Sequence, residues 1–276
     1  MNILLDSISA LLGLAFGSFT NVVIFRNLSG RRDLRASSAC VNCGAKIQPR
    51  DNIPLLSWLL LRGKCRNCGS QISPIYFVVE ATAAILFVAF RNLPNRISST
   101  ANFEALIHCL PLTVGLWWFS CASIALAVID FKQFRLPSRI IFTTFSVVFI
   151  AFAATAFLEG AWDVFMRAIL GSLLSIAFFG VIHRLFPQGM GLGDVKLAGL
   201  LGLLLGWFGW GALIVGSILE FLLGSAFGLF LISLQRAKSK SVIAFGPWML
   251  AGTILGIFFG EQVWQSYLSL LQTAVH

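Results

Sequence analysis

The chain has 276 residues, 58% of them hydrophobic and 11% charged, with a formal net charge of +9. Together with a mean hydropathy of +0.87, these figures exclude an ordinary soluble domain and point to a polytopic membrane protein. The excess of Lys and Arg does not point to nucleic acid, because the basic residues cluster in short segments between apolar runs, as cytoplasmic loops do.

Residues 3–25 form the first apolar run, interrupted by Asp6, Ser18 and Asn21. Basic residues follow this run rather than precede it (Arg26, Arg31, Arg32, Arg35). That order predicts a retained anchor with its N-terminal end outside, not a cleaved signal peptide. Gly13 and Gly17 stand at GxxxG spacing, for which close helix packing is a sufficient reason.

Residues 26–73 are the stretch able to form a soluble subdomain, with nine Lys or Arg and two Asp. Cys40-x-x-Cys43 is followed, after 21 residues, by Cys65-x-x-Cys68, and each pair is followed directly by a glycine, Gly44 and Gly69. Four thiolates in two such knuckles match a tetrahedral zinc site of the ribbon type. Two disulfides or a redox pair are the alternatives, and a basic cytoplasmic loop disfavours the disulfides. Cys109 and Cys121 lie in apolar runs and read as buried, inert thiols.

The second run, 75–90, carries Glu80, and a turn is predicted over Arg91–Arg96. The third, about 105–129, ends at Asp130, followed by Phe131-Lys132-Gln133-Phe134-Arg135-Leu136-Pro137. Pro137 marks entry into the fourth run, 140–158, and Glu159 and Asp163 punctuate a short turn before the fifth, 164–182. His183, Arg184 and Pro187 lead into Met190-Gly191-Leu192-Gly193-Asp194-Val195-Lys196. A short sixth run ends near Leu205, where Gly206-Trp207-Phe208-Gly209-Trp210-Gly211 suits an interfacial bend. A seventh run, 212–234, contains Glu220 and ends at Arg236, Lys238 and Lys240, before an eighth of about 244–260. Alternating the loops puts 17 of the 20 Lys and Arg on one side, with Arg91, Arg96 and Arg167 on the other. The expectation is an all-α polytopic membrane protein with about eight transmembrane helices and both termini periplasmic. A small cytoplasmic zinc-ribbon-like subdomain sits between the first two helices. The domains then read as a first transmembrane helix (1–25), a four-cysteine zinc-binding subdomain (26–73) and a membrane-embedded domain (74–276).

This topology places Asp130 and Asp194 at the cytoplasmic ends of the third and sixth spans. A carboxylate at the mouth of an apolar helix is costly unless the site needs it, and Gly191 and Gly193 allow a sharp turn and close approach just before Asp194. Two carboxylates brought together share a proton, so one can act as base on water while the other polarises a scissile carbonyl. The plainer reading is that each is one of a pair of interfacial charges, since Lys132 and Lys196 follow the aspartates at two residues. Glu80 and Glu220 could form an ion path, although a structural partner on a neighbouring helix suits each of them better. His108 reads as helix-end packing and His183 as a loop residue near the site.

Several stretches, in order along nearly the whole chain, resemble the prepilin peptidases, or type IV leader peptidases, a GxGD-type family of membrane aspartyl proteases. They are Gly17-Ser18-Phe19-Thr20-Asn21-Val22-Val23-Ile24-Phe25-Arg26, the paired cysteine knuckles and Asp51-Asn52-Ile53-Pro54-Leu55-Leu56-Ser57-Trp58. Then come Leu61-Arg62-Gly63-Lys64-Cys65, Ile129-Asp130 with Leu136-Pro137, Gly191-Leu192-Gly193-Asp194-Val195-Lys196, and Phe245-Gly246-Pro247. The resemblance implies an inner-membrane aspartyl endopeptidase that removes short basic leaders from type IV prepilins or type II secretion pseudopilins. It makes Asp130 and Asp194 the catalytic pair, with Gly191, Gly193 and Lys196 supporting the motif. It makes Cys40, Cys43, Cys65 and Cys68 the ligands of a structural Zn2+. Members with such a subdomain usually also methylate the new N-terminus using S-adenosylmethionine, although no glycine-rich nucleotide loop marks a donor site here. The expected partners are pilin substrates and membrane lipids, not nucleic acid. One departure is Ser138, where the family commonly has an acidic residue directly after Leu-Pro.

Two other classes remain on residues alone. An ion-coupled transporter would need polar residues deep in several spans, and this sequence has few. A non-catalytic zinc-binding assembly platform would make no demand on the aspartates. The lopsided Lys and Arg distribution generates one test of topology. A reporter fused after Arg66 or Lys238 should read cytoplasmic, and one near Asn95 or Glu159 external; a cytoplasmic reading at Asn95 would require the first three spans to be redrawn.

Overall fold

The structure is a computed structural model, and it describes residues 2–30, 39–97, 103–187, 189–234 and 244–275. Arg31, Arg32 and Arg35, and Arg236, Lys238 and Lys240, which weigh in the topology reading, lie outside the described residues. Ten α-helices are described: α1 (Asn2–Ser29), α2 (Leu56–Leu60), α3 (Ile75–Ile97), α4 (Phe103–Gln133), α5 (Ser138–Glu159), α6 (Trp162–Leu185), α7 (Leu192–Phe208), α8 (Trp210–Ser233), α9 (Gly246–Leu255) and α10 (Glu261–Val275). No β-strand longer than an isolated bridge occurs among the described residues. Six helices, α1, α3, α4, α5, α6 and α8, are long and apolar enough to cross a membrane. Two further apolar segments accompany them, α7 and the rod in which a π-helical turn (Gly256–Gly260) joins α9 to α10. The expected all-helical membrane protein with about eight long helices is what the chain forms.

Two compact units are present, one of residues 1–101 with 116–125, the other of residues 102–115 with 126–276. In the first, α1 lies against α3 with the GxxxG glycines at the seam. A Cβ on Gly13 would stand 2.6 Å from Ala84 Cα, and one on Gly17 would stand 2.9 Å from Glu80 Cα. Only glycine permits that approach. Trp117 stacks on Phe87 with centroids 4.8 Å apart and donates its indole N–H to the Phe87 carbonyl at 2.9 Å. The turn predicted over Arg91–Arg96 is instead the last part of α3. Arg91 Nη1 and Asn92 Nδ2 both donate to Asp6 Oδ1, at 2.8 and 2.9 Å. With their polar ends satisfied by a neighbouring helix, these residues need no loop.

The cysteine-bearing segment belongs to the same unit. Leu55 has φ 59 and ψ −50, and the Leu56 N–H donates to the Pro54 carbonyl two residues back at 2.6 Å. This is a three-residue γ-turn of the rare, strained hand. The buried Glu80 carboxylate of α3 holds it, accepting the Leu55 N–H at 2.8 Å. Trp58 packs on Gly63, whose φ is +65 and whose missing Cβ would lie 2.9 Å from the indole.

In the second unit, α6 and α7 pack along a strip of small residues. A Cβ on Gly171 would meet the Gly202 carbonyl oxygen at 2.6 Å, and one on Gly206 would meet the Arg167 carbonyl oxygen at 2.9 Å. Ser172 Oγ crosses the seam to donate to the Gly199 carbonyl at 2.8 Å. The bend expected at Gly206–Gly211 shrinks to a single residue, Gly209, between α7 and α8. Arg167 of α6 donates to the carbonyls of Gly206 and Trp207, each at 2.8 Å. On the other side of the bend, the Gly211 N–H donates to Glu261 at 3.1 Å. A cation therefore meets the negative end of α7 and an anion the positive end of α8. Glu220 of α8 is almost fully buried and accepts the Thr253 hydroxyl at 2.9 Å. Both intramembrane glutamates thus have structural partners.

The glycine seam yields a paired test within one helix. Gly171→Ala should lower stability by about 1–3 kcal/mol, because the new methyl group meets backbone that cannot swing away. Gly180 on the same helix has nothing within 4 Å of its ideal Cβ. Gly180→Ala should therefore be neutral or stabilising by up to about 1 kcal/mol through helix propensity. Thermal unfolding of the purified protein in detergent compares the two directly.

Candidate functional site

Asp130 and Asp194 reach one cavity from opposite chain directions. Asp130 lies in the last turn of α4, which ends at Gln133. Phe134 then takes a left-handed backbone (φ 51), and its N–H donates back to the Asp130 carbonyl at 2.8 Å. Asp194 lies in the first turn of α7, with Gly191 as N-cap. The Asp194 carboxylate Oδ2 turns back to accept the Gly191 N–H at 2.9 Å, which satisfies a donor that the helix start would leave open. A negative charge in a first turn is also favoured by the helix dipole. The loop before it is held by His183, whose Nδ1 lies 2.7 Å from the Met190 carbonyl oxygen. His183 thus stands near the site as expected, on the last turn of α6 rather than in a loop.

The cavity has a volume of about 240 Å3, and Asp130, Asp194, Gly191, Gly193, Ser138, Arg135 and Lys196 all line it. Asp130 is buried, at 5% exposure, and its Oδ2 accepts the Gly246 N–H at 3.1 Å. Each aspartate therefore has Oδ2 engaged by a glycine N–H. Gly246 is specific to this arrangement, since a Cβ there would come within 2.8 Å of Asp130 Oδ2 and 3.1 Å of Leu136. Gly193 sits equally close on the other wall, where a Cβ would lie 3.1 Å from Leu136 Cβ. Lys196 donates to Ser138 Oγ at 3.0 Å and stands 5.8 Å from the centre of the Phe142 ring. Of these, Gly246 as a direct partner of Asp130 is not legible in the residues alone. Its segment, Phe245-Gly246-Pro247, carries only the resemblance, with no chemistry attached.

The four cysteines of the knuckles also come together. Their Sγ atoms lie within 4.8 Å of one another, so the cluster could hold a metal ion, consistent with zinc. The two knuckles are built alike. The Gly44 N–H donates to the Cys40 carbonyl and the Gly69 N–H to the Cys65 carbonyl, both at 2.9 Å. Both glycines have φ near 70, at 71 and 69. Backbone N–H groups of Cys43 and Asn42 pull the Cys40 thiol down to about 6. The Cys68 thiol is lowered by Ser70, whose Oγ lies 3.1 Å from its sulfur. At Cys43 the Ala45 N–H favours the thiolate, but the thiols of Cys68 and Cys40 outweigh it and push the group up to about 11. Sulfurs this close resist sharing several negative charges, and a divalent cation removes that conflict. Beside the cluster, Arg66 clasps Asp51 with bonds of 2.7 to 3.1 Å, holding the Asp51 carboxyl below its usual range.

Comparison with known proteins bears on both clusters. Residues 11–92, which contain all four cysteines of the cluster, match the family model described as Bacterial Peptidase A24 N-terminal domain. Residues 117–233, which contain both aspartates, match the model described as Type IV leader peptidase family. Among curated relatives, a prepilin leader peptidase/N-methyltransferase of Pseudomonas putida is 30% identical over 96% of this chain and 94% of its own length. One of Pseudomonas aeruginosa is 31% identical over 94% and 91%, and one of Bacillus subtilis is 28% identical over 96% and 98%. No solved structure matches the chain. With two family models falling in order along it and relatives aligned almost from end to end, this membrane protein belongs to the type IV leader peptidase family.

Proposed function

We propose that the protein cleaves the leader peptide from type IV prepilins or type II secretion pseudopilins at the cytoplasmic face of the bacterial inner membrane. The observation that carries this reading is the convergence of Asp130 and Asp194 on one cavity. The relatives' names add an N-methyltransferase, and in this reading the methyl goes to the new N-terminus, with S-adenosylmethionine to supply it. The membrane orientation follows the Lys and Arg distribution, with the cysteine subdomain cytoplasmic and both termini periplasmic. In this reading residues 26–73 form the metal-binding subdomain and 74–276 the peptidase.

The chemistry follows from what each aspartate already binds. Oδ2 of Asp130 and Oδ2 of Asp194 are each engaged by a main-chain N–H, which fixes the carboxyl planes and leaves the Oδ1 atoms for reaction. Two such groups share one proton. The ionised member takes a proton from water as its oxygen attacks the scissile carbonyl carbon. The protonated member donates to the carbonyl oxygen, and a tetrahedral gem-diol results. Collapse breaks the C–N bond as the leaving amine collects the proton first taken from water and a gem-diol hydroxyl returns its proton to the carboxylate that had given one to the carbonyl oxygen. The two carboxyl groups end with one proton between them, as they began. Cleavage at this depth suits a substrate that is an apolar helix with a short polar leader at its cytoplasmic end.

Two expected outcomes test the reading. Asp130→Asn and Asp194→Asn keep the side-chain shape but cannot accept and return a proton. Each should abolish prepilin conversion, and the double variant should be no worse, because groups acting as a unit are non-additive. Mass spectrometry of a co-expressed prepilin at matched enzyme levels reads leader removal and N-methylation together. Unchanged conversion by either single variant would remove the dyad. For the cysteine cluster, the purified protein should carry one zinc per chain by elemental analysis. That zinc should be lost when Cys40, Cys43, Cys65 and Cys68 are replaced by Ser and retained in both aspartate variants.

A further inference from the structure

Lys196 lies in the second turn of α7. Among the described residues no carboxylate pairs with it within 4 Å. Its contacts are a neutral hydroxyl, Ser138 Oγ at 3.0 Å, and the face of the Phe142 ring. An ammonium group has three N–H donors, and the hydroxyl takes one. The side chain is exposed and lines the same cavity as Asp130 and Asp194. One cavity is thus lined by both aspartates and by a cation that a hydroxyl orients and that makes no ion pair within 4 Å among the described residues.

We propose that Lys196 is a specificity-determining residue that recognises a side-chain carboxylate of the substrate near the scissile bond, with Ser138 holding the ammonium group in place. This rests on the peptidase reading above. The carboxylate would accept a charge-assisted hydrogen bond from Nζ and fix the register of the peptide over the two aspartates. Ser138 matters because it accepts from Lys196 without cancelling its charge. An aspartate at that position would take up the ammonium group as an internal ion pair. A rival role is that Lys196 acts only on the charge of Asp130 and Asp194. That role would affect every substrate alike and shift the pH profile, without selecting among substrates.

The test uses the full-length enzyme and a series of prepilins in which each residue flanking the cleavage point is, in turn, Glu or Gln, with no other carboxylate in that stretch. The quantity read is the ratio of kcat/KM for the Glu and Gln members of each pair. The wild type should show one position where Glu is favoured by about fivefold to twentyfold, expressed mainly in KM. Lys196→Met should bring that ratio close to one whatever the absolute rate, and Lys196→Arg should keep most of it. Ser138→Asp, which leaves Lys196 in place, should lower the ratio severalfold and provides the decisive arm should the Met variant fail to accumulate. The proposal is overturned if the wild type favours Glu at no position. It is also overturned if the preference survives Lys196→Met or Ser138→Asp. Cleavage of the whole series without preference counts against the role of Lys196 alone, whereas no cleavage by the wild type, or full cleavage by Asp130→Asn, counts against the peptidase reading itself.

Discussion

A helix of 17 residues rises about 25 Å, which is shorter than the roughly 30 Å hydrocarbon layer of a bilayer. The ends of α7 therefore cannot both be left to water, and in a membrane unsatisfied backbone groups are costly. At the C-terminal end, Arg167 brings a charged donor from α6 to two of the last carbonyls. At the N-terminal end, the Asp194 carboxylate takes the Gly191 N–H. The Asp194 carboxyl, which lines the cavity together with Asp130, is thus also part of what allows the helix to begin there.

The rest of the second unit follows from seating this short helix. Burial of α7 on nearly all sides requires small residues on its neighbours, which is why Gly171, Ser172 and Ser175 of α6 face Gly199, Gly202 and Gly206. Close backbone approach replaces the hydrophobic drive that lipid removes between membrane helices. Phe152 of α5 fills the opposite side against Trp207, with centroids 4.4 Å apart. In this packed frame the start of α7, the end of α4 and the start of α9 converge, and two glycine N–H groups fix the two carboxyls. Precision at the cavity comes from main-chain donors on rigid elements, the arrangement that best preserves reacting geometry.

Much of this was legible in the residues because the signals were local. Apolar runs, loop charges and two cysteine knuckles each report physics that acts over a few positions. The aspartates stood out because a carboxylate at a helix mouth needs a reason. Less legible was whatever depends on a partner far along the chain. The Arg91–Arg96 stretch looked like a turn because its charges have no local use, yet Asp6 on α1 satisfies Arg91 and Asn92 within the helix. Gly246 stood out only through the resemblance of Phe245-Gly246-Pro247, with no chemistry attached, since its hydrogen bond to Asp130 spans 116 positions. Arg167 read as a loop charge on the sparse side, when its work is to terminate a helix 39 and 40 residues further on.

The hold of Glu80 on Leu55 has a consequence for how the cysteine-bearing segment can change over time. The carboxylate grips a main-chain N–H rather than a side chain, so the attachment reads the path of the backbone and is blind to residue type. Leu55 itself could be replaced by other unbranched residues, and glycine would even relieve the strain of its positive φ. Proline is barred, lacking the N–H and locked to negative φ, and β-branched residues fit that backbone poorly. An attachment of this kind constrains one acid in the membrane helix closely while leaving the surface that it anchors open to variation.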